Sequence, residues 1–443
     1  MSLDKALFSR LEELGQSDFL EHYAAQNVQS QERLAAQLER FDLALLEGIL
    51  SGDRIAEERM GEVTPVPYVA ASERTSADAV AAGEQGLRDG KVAFALLAGG
   101  QGSRLRWNGP KGTYPIGPAP ESTRTLFQIL TEKLLKAQER YSVLPPLAVT
   151  TSGGTDAAIK AFFETNDCFG YDRAKLRFAC QSSLPALDEQ DRFMLHTPER
   201  IFTSPDGHGG AIRALEVTGA LEAWQEAGIE AVVTFQIDNP LLHVTDPDFI
   251  GRLLLGGAPI ATKIVLKTDE SERVGVVAAV GGHPAIVEYS EISEEASTRR
   301  DPDGALTFRL GSIAVHAFTL PFLRRGLAAD LPLHVAKKAI LCLNWEGALC
   351  ERMGRKYERF LFDLFPAARS VLPVEVSRER EFAPVKSVDG ADTPAAARAA
   401  LDAEYRRWYS EAGVAPPVSP ESPDAPFDLS PLTAEGPSDL LAS

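Results

Sequence analysis

One segment of the sequence combines glycines with cationic side chains at a spacing suited to phosphate chemistry. It reads Leu-Leu-Ala-Gly-Gly-Gln-Gly-Ser-Arg-Leu over residues 96–105, and Pro110, Lys111 and Gly112 follow shortly afterwards. Glycines let the backbone approach a ligand closely, and exposed N–H groups can bind anionic oxygen. Arg104 and Lys111 would neutralise part of the charge of a triphosphate. The segment therefore indicates a nucleotide-binding loop.

Two common phosphate-binding motifs fit this loop poorly. A Walker loop needs Gly-Lys-Ser/Thr, whereas Lys111 is followed by Gly112. A dinucleotide fingerprint needs a third glycine, and Leu105 stands at that position, which disfavours an NAD-linked oxidoreductase. A glycine-rich turn without a ligand is the remaining alternative, and the two cations argue against it.

Asp238 is the second residue whose position suggests chemistry. It follows the apolar run 232–237 and precedes Asn239. Ligands bind at the carboxyl ends of strands in open α/β sheets, and a carboxylate there suits a magnesium ion bridging nucleotide phosphates. The residue alone is equally consistent with an aspartate that caps the structure after it.

Three further positions are weaker when considered alone. Residues 207–210 (Gly-His-Gly-Gly) precede a predicted helix, where free N–H groups can meet a ligand. Glu288 alternates with apolar neighbours on a predicted strand, which is also typical of a solvated strand face. Lys386 is an isolated cation, for which a surface lysine is the simpler interpretation. The histidines form no ligand cluster, so a zinc site is not expected.

Residues 97–105 with 110–114 (Pro-Lys-Gly-Thr-Tyr) resemble the signature of the UDP-sugar pyrophosphorylases, and most of all that of the UDP-N-acetylhexosamine pyrophosphorylase branch. Similar stretches follow in the same order along most of the chain. They are 150–153, Gln181 with 184–186, 204–210, 287–293, 360–365, 381–386 and 428–432, the last resembling the family's closing strands.

The resemblance implies a uridylyltransferase that makes a UDP-sugar and pyrophosphate from UTP and a sugar 1-phosphate, above all N-acetylglucosamine 1-phosphate, with Mg²⁺ as cofactor. It implies catalytic roles for Arg104, Lys111 and Lys386. It places the sugar on Asp238, Gly275, Glu288 and Ser312, with Asp238 also as metal ligand. The nucleotide-binding residues implied are Leu97, Ala98, Gly99, Gly100, Gly102, Gln181, Gly207 and His208.

The sequence departs from the branch pattern at three positions. His208 stands where the branch usually has asparagine, Ser312 replaces the asparagine of a Gly-Asn-Ile segment, and Arg106 replaces a glycine. Because serine lacks the amide donor of asparagine, UDP-glucose or broad-specificity UDP-sugar pyrophosphorylase activity remains an alternative. A catalytically silent UDP-sugar-binding relative is another, although the retained cations argue against it.

The elements around these residues predict an α/β fold. Apolar runs predicted as strands (92–98, 146–150, 175–180 and 231–237) alternate with predicted helices (125–139, 155–163 and 211–224), as in a parallel sheet. With the resemblance, this predicts a Rossmann-like nucleotide-diphospho-sugar transferase core with a mostly parallel sheet. We expect an N-terminal helical region (1–90), a catalytic domain (91–368) and a small C-terminal domain (369–443). Its proline-rich tail is expected to be extended or disordered.

Composition limits the partners. The chain of 443 residues has a formal net charge of -18 and no basic stripe, so a nucleic-acid partner is not expected. Its four cysteines show no paired spacing, which favours a reducing compartment. The apolar runs are too short to span a membrane, and the first residues lack the apolar core of a signal peptide. We predict a cytoplasmic monomer without a membrane partner.

Overall fold

The computed structural model describes residues 3–56 and 61–441, which form two compact units. The minor unit contains residues 3–56, Gln181–Ala214 and Asp330–Asp363, and the major unit contains residues 61–180, Leu215–Ala329 and 364–441. The domain boundaries predicted at 90/91 and 368/369 stay a prediction, because compact units and functional domains are different divisions of a chain. No helix of the described part is both long and apolar enough to cross a membrane.

The α-helices follow one another along the chain as α1 (Lys5–Glu13), α2 (Ser17–Ala25), α3 (Val28–Leu38), α4 (Leu43–Ser51), α5 (Ala77–Arg88), α6 (Leu126–Tyr141), α7 (Asp156–Thr165), α8 (Gly207–Val217), α9 (Ala220–Glu226), α10 (Pro247–Leu254), α11 (Glu294–Thr298), α12 (Leu320–Ala328), α13 (Arg378–Glu381) and α14 (Pro394–Ala412).

The strands are β1 (Val63–Thr64), β2 (Val92–Leu97), β3 (Leu147–Ser152), β4 (Leu176–Gln181), β5 (Ser183–Pro185), β6 (Leu187–Asp188), β7 (Leu195–Thr197), β8 (Arg200–Ile201), β9 (Thr203–Pro205), β10 (Ala231–Gln236), β11 (Ile260–Leu266), β12 (Val276–Val280), β13 (His283–Val287), β14 (Leu310–Thr319), β15 (His334–Leu343), β16 (Leu349–Glu358) and β17 (Val371–Glu375).

The major unit is built on one mixed sheet in the order β1-β12-β14-β10-β2-β3-β4, with β11 between β14 and β17 and with β13 beside β12. β2 is parallel to β3 and β10, whereas β14 is antiparallel to β10 and β11. The predicted α/β fold with parallel strands at its centre is confirmed. In the register, Gln236 lies opposite Leu97, so both strands end at the same edge of the sheet.

Burial explains why the central strands are almost entirely apolar. Residues 92–96 on β2 are buried without exception, as are residues 231–235 on β10, and a strand covered on both faces has no polar side. α5 and α10 touch backbone to backbone, since a Cβ on Gly83 would lie 1.9 Å from the Pro247 carbonyl oxygen. The central strands and the helices α5 and α10 are therefore closely packed.

The minor unit packs helices α1–α4 against small strands. Its larger sheet runs β6-β16-β15-β7-β8, and β5 pairs with β9. Leu11, Phe19, Leu34 and Leu46 of the helices share one buried cluster with Phe193 near β7. Apolar side chains of the predicted N-terminal helical region thus form core where the structure describes them.

Two regions differ from the sequence-based expectations. The helix predicted over 211–224 begins earlier and divides at Gly219, whose φ of 71° ends regular helix, into α8 and α9. The described tail beyond Gly413 contains no strand, so the expected closing strands are not found. Residues 414–426 are mostly exposed, whereas residues 427–441 include buried positions and contact α6, which differs from the expected extended or disordered tail. Arg140 binds Asp439 at 3.0 Å, and Lys133 pairs with Glu435 at 3.5 Å.

Candidate active site

The predicted nucleotide loop leaves the carboxyl end of β2 and folds back on itself. The Gly102 N–H donates to the Gly109 carbonyl oxygen at 2.9 Å, and the Lys111 N–H donates to the Gly100 carbonyl oxygen at 3.0 Å. At the loop's root, the Ala98 N–H donates to the Thr150 carbonyl oxygen of β3 at 3.1 Å. The loop is thus held as a closed turn that leaves directly from Leu97 and the sheet edge.

Glycine occupies positions in this region for different structural reasons. A Cβ on Gly102 would approach the Trp107 side chain to 2.8 Å, and one on Gly112 would meet the Phe127 ring at 2.2 Å, so neither position has room for a side chain. Gly100, next to Gly99, faces open space instead. No atom of the described residues lies within 4 Å of a Cβ built on Gly100, and such open space is what close approach of a ligand to the backbone requires.

Lys111 and Asp238 form a largely buried ion pair. Lys111 Nζ lies 3.0 Å from Asp238 Oδ2, and the two residues are 9% and 8% exposed. Arg104 is exposed, and its guanidinium makes no hydrogen bond or ion pair with the described residues. One cation is therefore already neutralised, while the other is available to an anion.

Asp238 follows β10 at the same edge as the loop. The preceding Ile237 N–H donates to the Leu97 carbonyl oxygen at 3.1 Å, which ties the two strand ends together. Within the described residues, no group of three or more histidine, cysteine or acidic side chains could hold a metal ion. One carboxylate still fits Mg²⁺ in this setting, because this ion keeps several waters and takes further oxygens from substrate phosphates.

Lys386 is brought to Asp238 by a neighbouring main-chain contact. The Val385 N–H donates to the Asp238 carbonyl oxygen at 2.8 Å, so Lys386 follows directly on that contact. Its side chain is more than one-third exposed and lies 3.6 Å from Asp392. Lys386 and Asp238 are 148 positions apart in sequence (386 − 238), yet the fold places their backbones side by side.

The three residues predicted for the sugar hydroxyls and amide also lie together. The Ser312 N–H donates to the Gly275 carbonyl oxygen at 2.8 Å. A Cβ on Gly275 would lie 3.4 Å from Glu288 Oε1 and 2.8 Å from the Ile286 side chain, which favours glycine there. Ser312 is near the start of β14, and because β14 runs antiparallel to β10, this start lies at the edge where β10 ends.

In the minor unit, Gln181 and the start of α8 form a second group of predicted residues. Gln181 Nε2 donates to the Gly207 carbonyl oxygen at 3.3 Å. Gly207 has a φ of 82°, and a Cβ there would lie 2.4 Å from the Arg359 carbonyl oxygen, so the position requires glycine. Asp206 is buried, and its carboxylate accepts a hydrogen bond of 3.2 Å from Arg359.

His208 is held in one orientation by its neighbours. Its Nδ1 accepts the Leu361 N–H at 2.9 Å, so a neutral ring carries its proton on Nε2. The ring stacks on Phe360 at 5.3 Å and contacts Phe362 at 5.0 Å, and His334 stacks on Phe360 at 4.1 Å. Burial lowers the pKa of His208 to about 4, and it raises the pKa of Asp206 to about 6. His208 is therefore a neutral N–H donor at neutral pH.

The structure brings the predicted residues together within each unit, and their roles as ligands stay predictions. Sequence reasoning gave no role to Phe360 and Phe362 around His208, although the resemblance covered them. It also gave none to Asn239 and Glu381, which contact each other beside Asp238: Asn239 Nδ2 donates to the Glu381 carbonyl oxygen at 2.7 Å. The signal available in the sequence was a polar residue, Asn239, directly after the predicted site residue Asp238.

A family model and two known proteins each match most of this chain. A family model described as UTP--glucose-1-phosphate uridylyltransferase matches residues 49–394. UDP-N-acetylglucosamine diphosphorylase 1 of Arabidopsis thaliana is 34% identical over 434 residues, which cover 92% of this chain and 85% of that protein. UDP-N-acetylhexosamine pyrophosphorylase-like protein 1 of Xenopus tropicalis is 40% identical over 341 residues, covering 74% of this chain and 66% of that protein.

A solved structure shares the fold. The uridine diphosphate N-acetylglucosamine pyrophosphorylase from Trypanosoma brucei, crystallised with an inhibitor, superimposes with a TM-score of 0.82 at 28% sequence identity. The match covers 98% of this chain and 93% of the other.

Proposed function

The chain belongs to the UTP–glucose-1-phosphate uridylyltransferase family, and from this premise we propose that it makes UDP-N-acetylglucosamine and pyrophosphate from UTP and N-acetylglucosamine 1-phosphate. Relatives named for this product match more than nine-tenths of the chain, which supports this sugar over glucose 1-phosphate. The observation that carries the proposal is the convergence of Gly100, Arg104, Lys111 and Asp238 at one edge of the sheet.

The reaction requires positioning more than covalent help from the protein. A phosphate oxygen of the sugar 1-phosphate attacks the α-phosphorus of UTP, the bond from that phosphorus to the β-phosphate bridging oxygen breaks, and pyrophosphate leaves. The nucleophile is already an anion, so no general base has to remove its proton. The barrier lies in bringing two polyanions together, and cations fixed in place lower it.

Each cation has a distinct place in this scheme. Arg104, whose guanidinium makes no hydrogen bond or ion pair with the described residues, would bind the triphosphate. Lys111 would exchange Asp238 for a phosphate oxygen, and Lys386 would bind phosphate at the reacting centre. The backbone at Leu97, Ala98, Gly99, Gly100 and Gly102 would line the nucleotide.

Mg²⁺ is the proposed cofactor, with Asp238 as the single protein carboxylate that would hold it. When bound, the ion would neutralise charge on the phosphates. Asp238 is suited to this because one of its oxygens is engaged by Lys111, and the strand end fixes its main chain.

The sugar is proposed to lie against Gly275, Glu288 and Ser312. Carboxylate and carbonyl oxygens accept hydrogen bonds from hydroxyls, and the Ser312 hydroxyl can donate or accept. In the minor unit, Gln181, Gly207 and His208 are proposed to recognise uridine, with His208 Nε2–H as a donor.

A pyrophosphate-release assay tests the proposal. Purified protein is supplied with UTP, Mg²⁺ and N-acetylglucosamine, glucose or galactose 1-phosphate in turn. We expect equal amounts of pyrophosphate and UDP-sugar, with the highest kcat/KM for the N-acetylated substrate. A higher kcat/KM for glucose 1-phosphate would reassign the sugar. Binding of UDP-N-acetylglucosamine without turnover of any substrate would instead identify a catalytically silent relative.

The cytoplasm and a monomeric state are also proposed. The four cysteines form no disulfide, which supports a reducing compartment, and the Sγ atoms of Cys342 and Cys350 lie 3.8 Å apart without a covalent bond. Sedimentation of the purified protein and fractionation of the source cells test these two points.

A further inference from the structure

Asn239 uses both ends of its side-chain amide on one segment of the chain. Its Nδ2 donates to the Glu381 carbonyl oxygen at 2.7 Å, and its Oδ1 accepts the Ala383 N–H at 3.1 Å. The next contact along the segment is the bond of 2.8 Å from the Val385 N–H to the Asp238 carbonyl oxygen. Three hydrogen bonds thus join the end of β10 to residues 381–385.

The root of this segment is fixed by buried charge. Lys263, which is fully buried, binds the Glu381 carboxylate and lies 2.9 Å from Asp246 Oδ2. Arg74 lies 3.4 Å from Glu381 and also pairs with Asp246. Residue 381 therefore cannot move without breaking several charged hydrogen bonds, which are stronger than neutral ones.

The other end of the segment carries a proposed catalytic cation. Lys386 follows Val385 immediately, and its side chain is held by little besides the half-exposed Asp392 at 3.6 Å. Surface ion pairs of this kind contribute little. The Lys386 N–H donates to the Asp392 carbonyl oxygen at 2.8 Å, which holds the main chain after residue 385. The three hydrogen bonds, two of them made by Asn239, hold residues 381–385 against the end of β10 and so set where Lys386 stands relative to Asp238.

We propose that Asn239 is a positioning residue, whose amide holds the main chain of 381–385 so that Lys386 stands beside Asp238 and the reacting phosphate. The proposal rests on the proposed function for the role of Lys386. Asparagine suits the task because its short side chain presents a donor and an acceptor together. Aspartate has no donor for the Glu381 carbonyl oxygen, and alanine has neither group.

A double-mutant cycle tests whether Asn239 acts through Lys386. We expect Asn239→Ala to lower kcat about 10- to 100-fold, the effect of a small displacement of a catalytic group, while KM for UTP changes less than threefold. Because the loss passes through Lys386, the double variant Asn239→Ala/Lys386→Ala should be no slower than Lys386→Ala alone. If the two losses multiply, or if Asn239→Ala leaves kcat unchanged, the proposal is overturned.

Gln16 provides the matched control. It is as buried as Asn239 and makes the same two-ended clamp in the minor unit, donating to the Asp191 carbonyl oxygen at 2.8 Å and accepting the Phe193 N–H at 2.9 Å. Gln16→Ala should lower the unfolding temperature as Asn239→Ala does, yet leave kcat within twofold of wild type. A comparable loss of kcat in both variants would reduce the Asn239 effect to general destabilisation and would overturn the proposal.

Hydrogen exchange separates this inference from the proposed function. Amides of residues 383 and 385 should exchange at least tenfold faster in Asn239→Ala, whether or not the protein turns over a sugar phosphate. If the exchange rates of these amides are unchanged, the two hydrogen bonds of the Asn239 side chain do not hold residues 381–385, and the proposal is overturned. If wild-type protein is inactive with every sugar phosphate while the exchange result holds, the proposed function fails and the clamp stands. Should Asn239→Ala not fold, Asn239→Ser, which can keep one of the two bonds, enters the same cycle.

Discussion

Two aspartates eight positions apart on the same connection have opposite surroundings (246 − 238). Asp246 begins α10, where its Oδ1 accepts the Phe249 N–H, and its other oxygen is bound by Lys263 and Arg74. Asp238 follows the end of β10 and has Lys111 as its one cation within the described residues. Both side chains are largely buried, so exposure does not distinguish them.

The two carboxylates differ in how many cations bind them. Burial on its own raises the pKa of Asp246, but the charges of Lys263 and Arg74 outweigh it and hold that pKa well below its usual range. Such a carboxylate has no capacity left for a ligand. Asp238 keeps an oxygen that no cation of the described chain engages. We infer that Asp246 stabilises the fold whereas Asp238 serves the site.

Of the substitutions considered, Lys263→Met should have the largest effect, and it tests whether Asp246 stabilises the fold. Removing this buried cation leaves the Asp246 and Glu381 carboxylates with Arg74 as their one remaining cation within the described residues, which should cost about 3–5 kcal/mol of folding free energy. Urea unfolding followed by circular dichroism measures the loss. A change below about 1 kcal/mol would mean that Asp246 is not the structural member of the pair.

Lys111→Ala tests the functional side. It should lower turnover about 100- to 1000-fold, in line with loss of one preorganised group at a site of developing charge, with a smaller loss of stability than Lys263→Met. Initial rates of pyrophosphate release measure it.

Lys133→Met is the control for Lys111→Ala. Lys133 is similarly buried in the same unit and binds the Leu242 carbonyl oxygen at 2.9 Å and Glu435 at 3.5 Å. We expect it to destabilise the protein with turnover per folded molecule near wild type. Near-normal turnover of Lys111→Ala would remove Lys111 from the mechanism.

The pH dependence of folding stability provides a test in the minor unit, where partly buried His208 is held as a neutral imidazole. Its pKa of about 4 lies below the ordinary value of about 6.5, so the unfolded chain binds more protons between these values. The stability that His208 contributes is complete above pH 6.5 and is lost as pH falls towards 4. Asp363 and His334 are the charged neighbours that oppose or add to this shift.

Comparison of wild type with His208→Asn at two pH values measures this term. From pH 7 to pH 5, wild type should lose about 1–2 kcal/mol more folding free energy than His208→Asn does. Equal losses in the two proteins would show that the imidazole is not held neutral. Asp206 cannot produce the same sign, because burial raises its pKa to about 6 and its contribution is lost as pH rises through that value.

Arg106→Gly should have the smallest effect and probes strain beside the nucleotide loop. Arg106 has a φ of 53°, a left-handed conformation that glycine adopts without penalty. We expect a gain of about 0.5 kcal/mol, with little lost from the exposed contact of 4.0 Å to Asp389. Ser142, with a φ of 61° at the end of α6, is the control outside the site. If Ser142→Gly stabilises the protein and Arg106→Gly does not, the Arg106 side chain has a role of its own.

Sequence was a good guide to the central strands and a poor one to the minor unit. β2 and β10 are buried on both faces and so read as continuous apolar runs. β15 and β16 were missed because their exposed residues include Lys337, Lys338 and Glu351, and their buried positions are few. The two strands pair with each other along their full length as a hairpin, and only short contacts join them to β6 and β7, far away in the chain.

Within the site, sequence could locate strand ends but not their partners. Lys111 and Asp238 are 127 positions apart, and Asn239 and Glu381 are 142 apart. Local periodicity carries no information at such separations. Only the resemblance assigned Lys386 to the phosphates. The pattern placed Asp238 at a strand end, but it could not show that Lys263 and Arg74 neutralise Asp246.

The contacts between α6 and the tail affect the order in which the protein can mature. Ser430 binds Glu132 across 298 positions, and Asp439 binds Arg140 across 299. During synthesis, α6 leaves the ribosome before these tail residues exist, although Glu132 already has a partner in Arg124 at 2.8 Å. The contacts between α6 and the tail can therefore form only after residue 439 has been translated, and chains arrested before that point lack them.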